Sequence, residues 1–411
     1  MTATDPPVFE FDHLSPQYAA EPMAVNRAMR EQCPVVWTEA HSGFWVTATY
    51  AETFAAGRDP ATYSSKKGRH AGLDHTGVVI PALPSMHLLP VEVDPPELRA
   101  YRKVMNPAFS PQAVARLLPD VERFTTWCVD QVIASGAIDF VDDLATPVPA
   151  MTTLLIVGLP PEDWPQHAKA FHGLVSHVPG TPGHDEAITA IAAIDRSVFD
   201  EIADRRAHPR DDLLTMLTQA DIDGRPLTDE EVAAIVATTL GGGVDTTTAL
   251  LANAFSYLGE HPEHRDRIAE DDAYLNSFCE EMLRYYSPVQ GFARTVTEDT
   301  DLGGCPLGRG DRIFLNWSAA NHDPAEFARP EEVVPDRSPN RHAAFGIGPH
   351  RCIGAPVARA EFGIVVREVL RRMPDYTLAP GAEHYTNIGT VNGWHHLPAR
   401  FTPGSPVGGA A

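Results

Sequence analysis

Residues 228–258 set the first limit on what this chain can become. Thr228 and Glu231 have the spacing of a capping box, and the apolar run behind them continues to about Leu258. At ~1.5 Å per residue this predicts one helix on the order of 45 Å long, enough to cross the whole molecule. Its middle conflicts with its ends. Gly241-Gly242-Gly243 costs about 1 kcal/mol per residue relative to alanine, and Thr246-Thr247-Thr248 adds β-branched residues that also disfavour helix. Glycines there would let a large planar group approach the backbone. Asp245 and Thr246 would then bring a carboxylate and a hydroxyl to a local opening, with the threonine hydroxyl competing for a carbonyl one turn back. The competing explanation is a helix–helix contact that needs small residues.

A second stretch is shaped to present one sulfur atom. Residues 345–354 read Phe-Gly-Ile-Gly-Pro-His-Arg-Cys-Ile-Gly, and a helical pattern resumes at Ala355. Gly346 and Gly348 admit backbone angles closed to other residues, and Pro349 stiffens the approach, so the chain can turn tightly under Cys352. A cysteine just ahead of a helix meets free N–H groups and the positive end of the macrodipole, both of which favour thiolate.

The spacing Phe-x-x-Gly-x-x-x-Cys-x-Gly resembles the haem-binding loop of the cytochromes P-450. The resemblance implies a mainly α fold with small β-sheets around haem b (iron protoporphyrin IX), with Cys352 as the axial thiolate of the iron. It extends along the chain. Gly-Gly-Val-Asp-Thr-Thr is similar to the oxygen-activation segment of the family's central helix, which implies that Asp245 and Thr246 supply protons there. Asp94-Pro95-Pro96-Glu97 reads as an N-cap and first turn, and Arg102 after it matches a propionate-binding arginine of the family. Leu98 stands where many members carry a histidine. Arg294 and His350 match further propionate contacts, and Phe345, Gly346 and Gly242 fall where the family places residues against the haem. Glu281-x-x-Arg284 resembles the family's Glu-x-x-Arg, with Arg337 as its partner, and all three are assigned a structural role.

The pattern along the chain predicts a helix near 17–32, a hairpin of 35–37 with 44–47, and helices near 112–134, 143–158, after Pro161, 185–206 and 276–286. Residues 64–90 read as a long irregular loop on the substrate side, and the helices over 160–206 as a possible lid. By position, Val79, Leu88, Leu89, Phe171, Leu174, Thr238, Gly242, Val289, Gln290, Phe292, Thr390 and Val391 are expected to line a mostly apolar substrate pocket. The whole chain of 411 residues is read as one domain with flexible tails at 1–15 and 404–411.

Bulk properties narrow the setting. A formal charge of −23 argues against nucleic acid and anionic membranes as partners, and no run approaches the ~18 apolar residues of a membrane span. The N-terminus shows neither a basic n-region nor an apolar h-region, and five scattered cysteines fit a reducing cytoplasm. A soluble monomer is expected. The resemblance implies a monooxygenase that inserts one atom of O2 into a small apolar organic substrate, with electrons from a ferredoxin or flavodoxin-type donor and its NAD(P)H reductase. Arg99, Lys103, Arg351 and Arg359 could form the docking face for that donor. The alternatives are an H2O2-dependent peroxygenase, which would not need Asp245 and Thr246, a non-catalytic haem ligand-binding protein, and a cysteine hydrolase.

Overall fold

The computed structural model describes residues 7–82, 87–222 and 224–408. The central helix runs over Asp229–Glu260, and both halves of its capping box form: Thr228 Oγ1 accepts from Glu231 N at 3.2 Å, and Glu231 Oε2 accepts from Thr228 N at 2.9 Å. It carries no break at its glycines, so the expected opening is confined to side-chain bonding: Thr246 Oγ1 donates to Gly242 O at 2.8 Å. The glycines turn out to serve two ends. A Cβ on Gly243 would lie 2.4 Å from Thr153 Oγ1 and one on Gly241 would lie 3.2 Å from Phe171, whereas one on Gly242 would meet nothing within 4 Å. Two glycines thus admit neighbouring helices, and the third opens onto a cavity.

Around this axis pack Pro111–Val132, Pro147–Val157, Asp272–Tyr286 and Ala355–Arg372, with Trp164–Ser176 and Pro182–Ala207 covering its first half. Phe140 and Phe255 stack at 4.4 Å between ring centroids, deep in the larger apolar core. A five-stranded sheet flanks the helices in the order 35–38, 44–47, 312–316, 291–296, 63–64. The 44–47 and 312–316 strands pair in parallel, and the other neighbouring strands pair antiparallel.

Several sequence expectations are corrected. The helix near 17–32 is two, Pro16–Ala20 and Pro22–Gln32, because Pro22 has no N–H with which to continue the first. Asp94 does not cap the helix Glu97–Met105; its carboxylate accepts from Ser64 Oγ at 2.6 Å and Ser65 N at 2.9 Å, tying that turn to the sheet edge. The 64–90 segment, of which 83–86 lie outside the described residues, contains a hairpin of Lys67–His70 with Leu73–Thr76, hidden from pattern reading because its exposed strands lack apolar alternation. Residues 7–15 are not a loose tail: Phe11 and His13 are buried, and Val8 bridges to Trp37. At the other end Gly404 N donates to Ile133 O at 2.9 Å, and Val407 and Gly408 donate to Asp130. Residues 1–6 and 409–411 of the expected tails lie outside the described residues.

Candidate active site

The cysteine loop closes on itself through Cys352 N, which donates to Phe345 O at 2.7 Å. Gly346 at φ 72° and Gly348 at φ 66° provide the left-handed turns this closure needs, and Gly348 also rests on Gly57 O, 2.4 Å from where a Cβ would sit. The sulfur is accessible from the interior cavity and enclosed by protein elsewhere. Burial pushes its pKa up, while N–H groups of Gly354 and Ala355 and the Arg102 and Arg359 charges pull it down. The N–H groups at the helix start favour the thiolate as expected, but burial is the larger effect and the net shift is upward.

Beside the sulfur three basic groups converge, and among the described residues none of them is ion-paired. Arg294 is fully enclosed, and among the described residues its guanidinium donates only to its neighbour Ala293 O at 2.7 Å; burial, against the charge of Asp94, lowers its pKa to about 10. His350 has a buried Nε2 with no partner among the described residues, and burial together with Arg294 and Arg102 lowers its pKa to about 3. Arg102 donates to Arg351 O and forms no ion pair among the described residues. Buried cations are normally paired, so this cluster is built for an anionic ligand. Leu98, by contrast, is buried in the apolar core and offers nothing polar.

Across the cavity Thr246 faces the interior, but Asp245 does not line it. The carboxylate is buried, its Oδ1 lies 3.2 Å from His172 Nδ1, and its Oδ2 has no hydrogen-bond partner among the described residues. Tyr385 Oη reaches the same His172 Nδ1 at 2.9 Å. Sequence reading missed both residues, since a lone histidine on an amphipathic helix and a lone tyrosine in a turn carry no signal.

The scan of known families matches the sequence profile described as Cytochrome P450 to residues 185–374. A steroid C26-monooxygenase of Mycolicibacterium smegmatis is 33% identical over 391 residues, covering 93% of each chain. An erythromycin C-12 hydroxylase of Saccharopolyspora erythraea is 35% identical over 380 residues, 90% of this chain and 92% of that one. The chain belongs to the cytochrome P450 family. Among solved P450 structures, CYP109E1 of Bacillus megaterium in complex with testosterone superimposes with a TM-score of 0.83 at 29% identity, covering 94% of this chain and all of that one. The protein is therefore a haem-thiolate monooxygenase that binds haem b, and the sulfur, the orphaned basic cluster and the Cβ-free face at Gly242 fit that group. Among the described residues, no helix is long and apolar enough to cross a membrane.

The P450 cavity brings together most of the expected lining: Val79, Leu88, Phe171, Leu174, Thr238, Gly242, Val289, Phe292, Thr390 and Val391, with Phe345 and Cys352. Two expectations fail. Leu89 turns into the core beside Val93, and the Gln290 amide is spent on Ser287 O and Tyr18 Oη, so neither borders the cavity. The sequence reading also missed part of the lining. Leu14 and Phe109 add apolar wall, His177 brings a polar edge, and Glu361 is a fully enclosed carboxyl whose pKa burial raises to about 8. Glu281 and Arg284 are buried and bonded twice at 2.8 Å, and Arg337 Nε reaches Glu281 Oε2 at 3.0 Å. Arg359 is held by Glu280 at 2.6 Å and so is not free for docking, whereas Arg99, Arg102 and Lys103 border a shallow basic depression.

Proposed function

We propose that this P450 hydroxylates a neutral, largely hydrocarbon substrate of steroid or macrolide size. The observation that carries the reading is one cavity joining Cys352 and Thr246 whose remaining wall is mostly aliphatic and aromatic. Two relatives named for a steroid and for erythromycin support the size class. The bound haem supplies oxygen activation and electron transfer; the protein residues do the rest. Cys352 ligates the iron, Arg102, Arg294 and His350 hold the propionates, and Thr246 with Asp245 controls proton supply. One atom of O2 enters the substrate and the other leaves as water, so each turnover takes up two electrons and two protons.

The electrons come from a separate acidic ferredoxin or flavodoxin with its NAD(P)H reductase, which docks at the depression bordered by Arg99 and Lys103. The charge sign supports this: the patch is basic on a chain with net charge −23. The enzyme acts as a cytoplasmic monomer, a reading supported by five free thiols. Glu281, Arg284 and Arg337 are structural. The test is the spectrum of the reduced, carbon monoxide-bound holoprotein, followed by spin-state titrations with steroids, macrolides, fatty acids and aromatics. A main band at the position of histidine-ligated haem, or a response to highly charged ligands alone, would sink the proposal.

A further inference from the structure

Asp245 is withdrawn from the cavity and sits at the inner end of a graded file of titratable rings. Asp245 is 1% exposed and His172, on Trp164–Ser176, 23% by side chain. Behind His172 come His395, with ring centroids 5.7 Å apart, and then His177, 6.4 Å from His395 and exposed. Tyr385 closes the inner end, 2.9 Å from His172 Nδ1 and with its ring centroid 4.6 Å from that of His395. Three separate segments thus converge on one buried carboxylate: the first cover helix, the central helix and the C-terminal 385–395 turn.

We propose that His172 is the residue through which Asp245 exchanges protons with solvent, which makes it a positioning residue for proton supply to the P450 reaction. This rests on the reading of Asp245 as the acid of that supply. In the step, the His172 imidazolium gives its Nδ1 proton to Asp245 Oδ1, leaving neutral imidazole and a neutral carboxyl. Asp245 passes a proton on towards the cavity and returns to carboxylate, and His172 is reprotonated from solvent on its exposed edge. Nothing is oxidised or reduced.

The surroundings support this direction of flow. Burial opposes charge on His172, but the hydrogen bond and charge of Asp245 and the charge of Asp142 outweigh it, and the net pKa is raised. Asp142 lies on the 141–145 turn and is itself paired with His396 at 3.3 Å. His395, facing His172 from the C-terminal turn, has its pKa lowered by burial and by the His172 charge, with Glu383, His177 and His396 as its other charged neighbours. Tyr385 is pushed far up by burial and by Asp245, so it remains a neutral phenol that orients the ring. A histidine with a raised pKa keeps its proton above the usual range and loses it as pH rises further, so the supply fails on the alkaline side.

The test uses the carbon monoxide-bound ferrous holoprotein, which is diamagnetic, with histidine ring carbons labelled for NMR. His172 is expected to titrate above its ordinary value, and in Asp245→Asn that value falls. In parallel, NAD(P)H oxidation is followed against pH with a surrogate ferredoxin pair and testosterone as probe. His172→Gln, which keeps a hydrogen bond to Asp245 but cannot carry the proton, is expected to lower the rate roughly hundredfold, the low end for a proton-transferring side chain. It should also abolish the alkaline fall while leaving the carbon monoxide spectrum unchanged. Wild-type rate and pH profile in His172→Gln, or a His172 titration indifferent to Asp245→Asn, overturns the inference. If Asp245→Asn itself keeps the full rate, the acid role fails and the inference with it; if Asp245→Asn is slow and His172→Gln is not, only the inference fails.

Discussion

Two buried charge clusters, one around Glu281 and one around Arg294, differ in how far their charges are met. Around Glu281 every donor is met: Arg284 binds both carboxylate oxygens and three backbone carbonyls, while Arg337, Asn340 and Val334 N complete the shell. Around Arg294 almost nothing is met among the described residues: one carbonyl for the guanidinium, no paired carboxylate, and a neighbouring imidazole nitrogen without a partner. Both hold a buried guanidinium, but only the first holds a carboxylate to meet it. Completeness separates scaffold from site, because an unpaired buried charge is tolerated only where a ligand supplies the missing half.

The comparison can be broken in four places. The largest effect is expected from Cys352→Ser, which should remove the thiolate-type carbon monoxide band and all turnover while the chain still folds. Next, Arg284→Ala strands Glu281 in an apolar interior, and loss of a buried pair's partner costs about 3–5 kcal/mol. Thermal unfolding of both apo and holo forms should register it, and a shift confined to the holo form would mean the cluster belongs to the site. Arg294→Ala should act with opposite signs. It weakens haem retention by about 1.5–3 kcal/mol, the value of a charged hydrogen bond, yet leaves the apoprotein as stable as before or more so. Haem-transfer kinetics beside apoprotein unfolding checks this, and a destabilised apoprotein would erase the contrast.

The smallest effect is a pH slope. His322, close to the Arg284 guanidinium, is held neutral by burial and by the Arg284 charge, which lower its pKa to about 3. A folded pKa below the unfolded value means the unfolded chain takes up the proton first, so stability falls as pH drops from about 6.5 towards 3. Near pH 5 the slope approaches ~1.4 kcal/mol per pH unit. Urea unfolding between pH 7 and 5 should show it, and His322→Phe should flatten it.

The sequence alone determined the features that are local or fixed by spacing. The capping box starts the central helix, two left-handed glycines turn the chain under Cys352, and the i, i+3 spacing sets Glu281 against Arg284. Each of these is written in neighbouring residues, because backbone geometry and helical period act over a few positions. What only the tertiary structure decided is where side chains turn once distant segments meet. Asp245 faces His172, 73 positions away, instead of the cavity, and Tyr385 joins them from 213 positions beyond His172. Asp94 serves the sheet edge instead of a helix end, and Gln290 is consumed by Ser287 and Tyr18. Such choices follow from competition among all polar groups sharing one interior, where each must find a partner, and no short window of sequence contains the competitors.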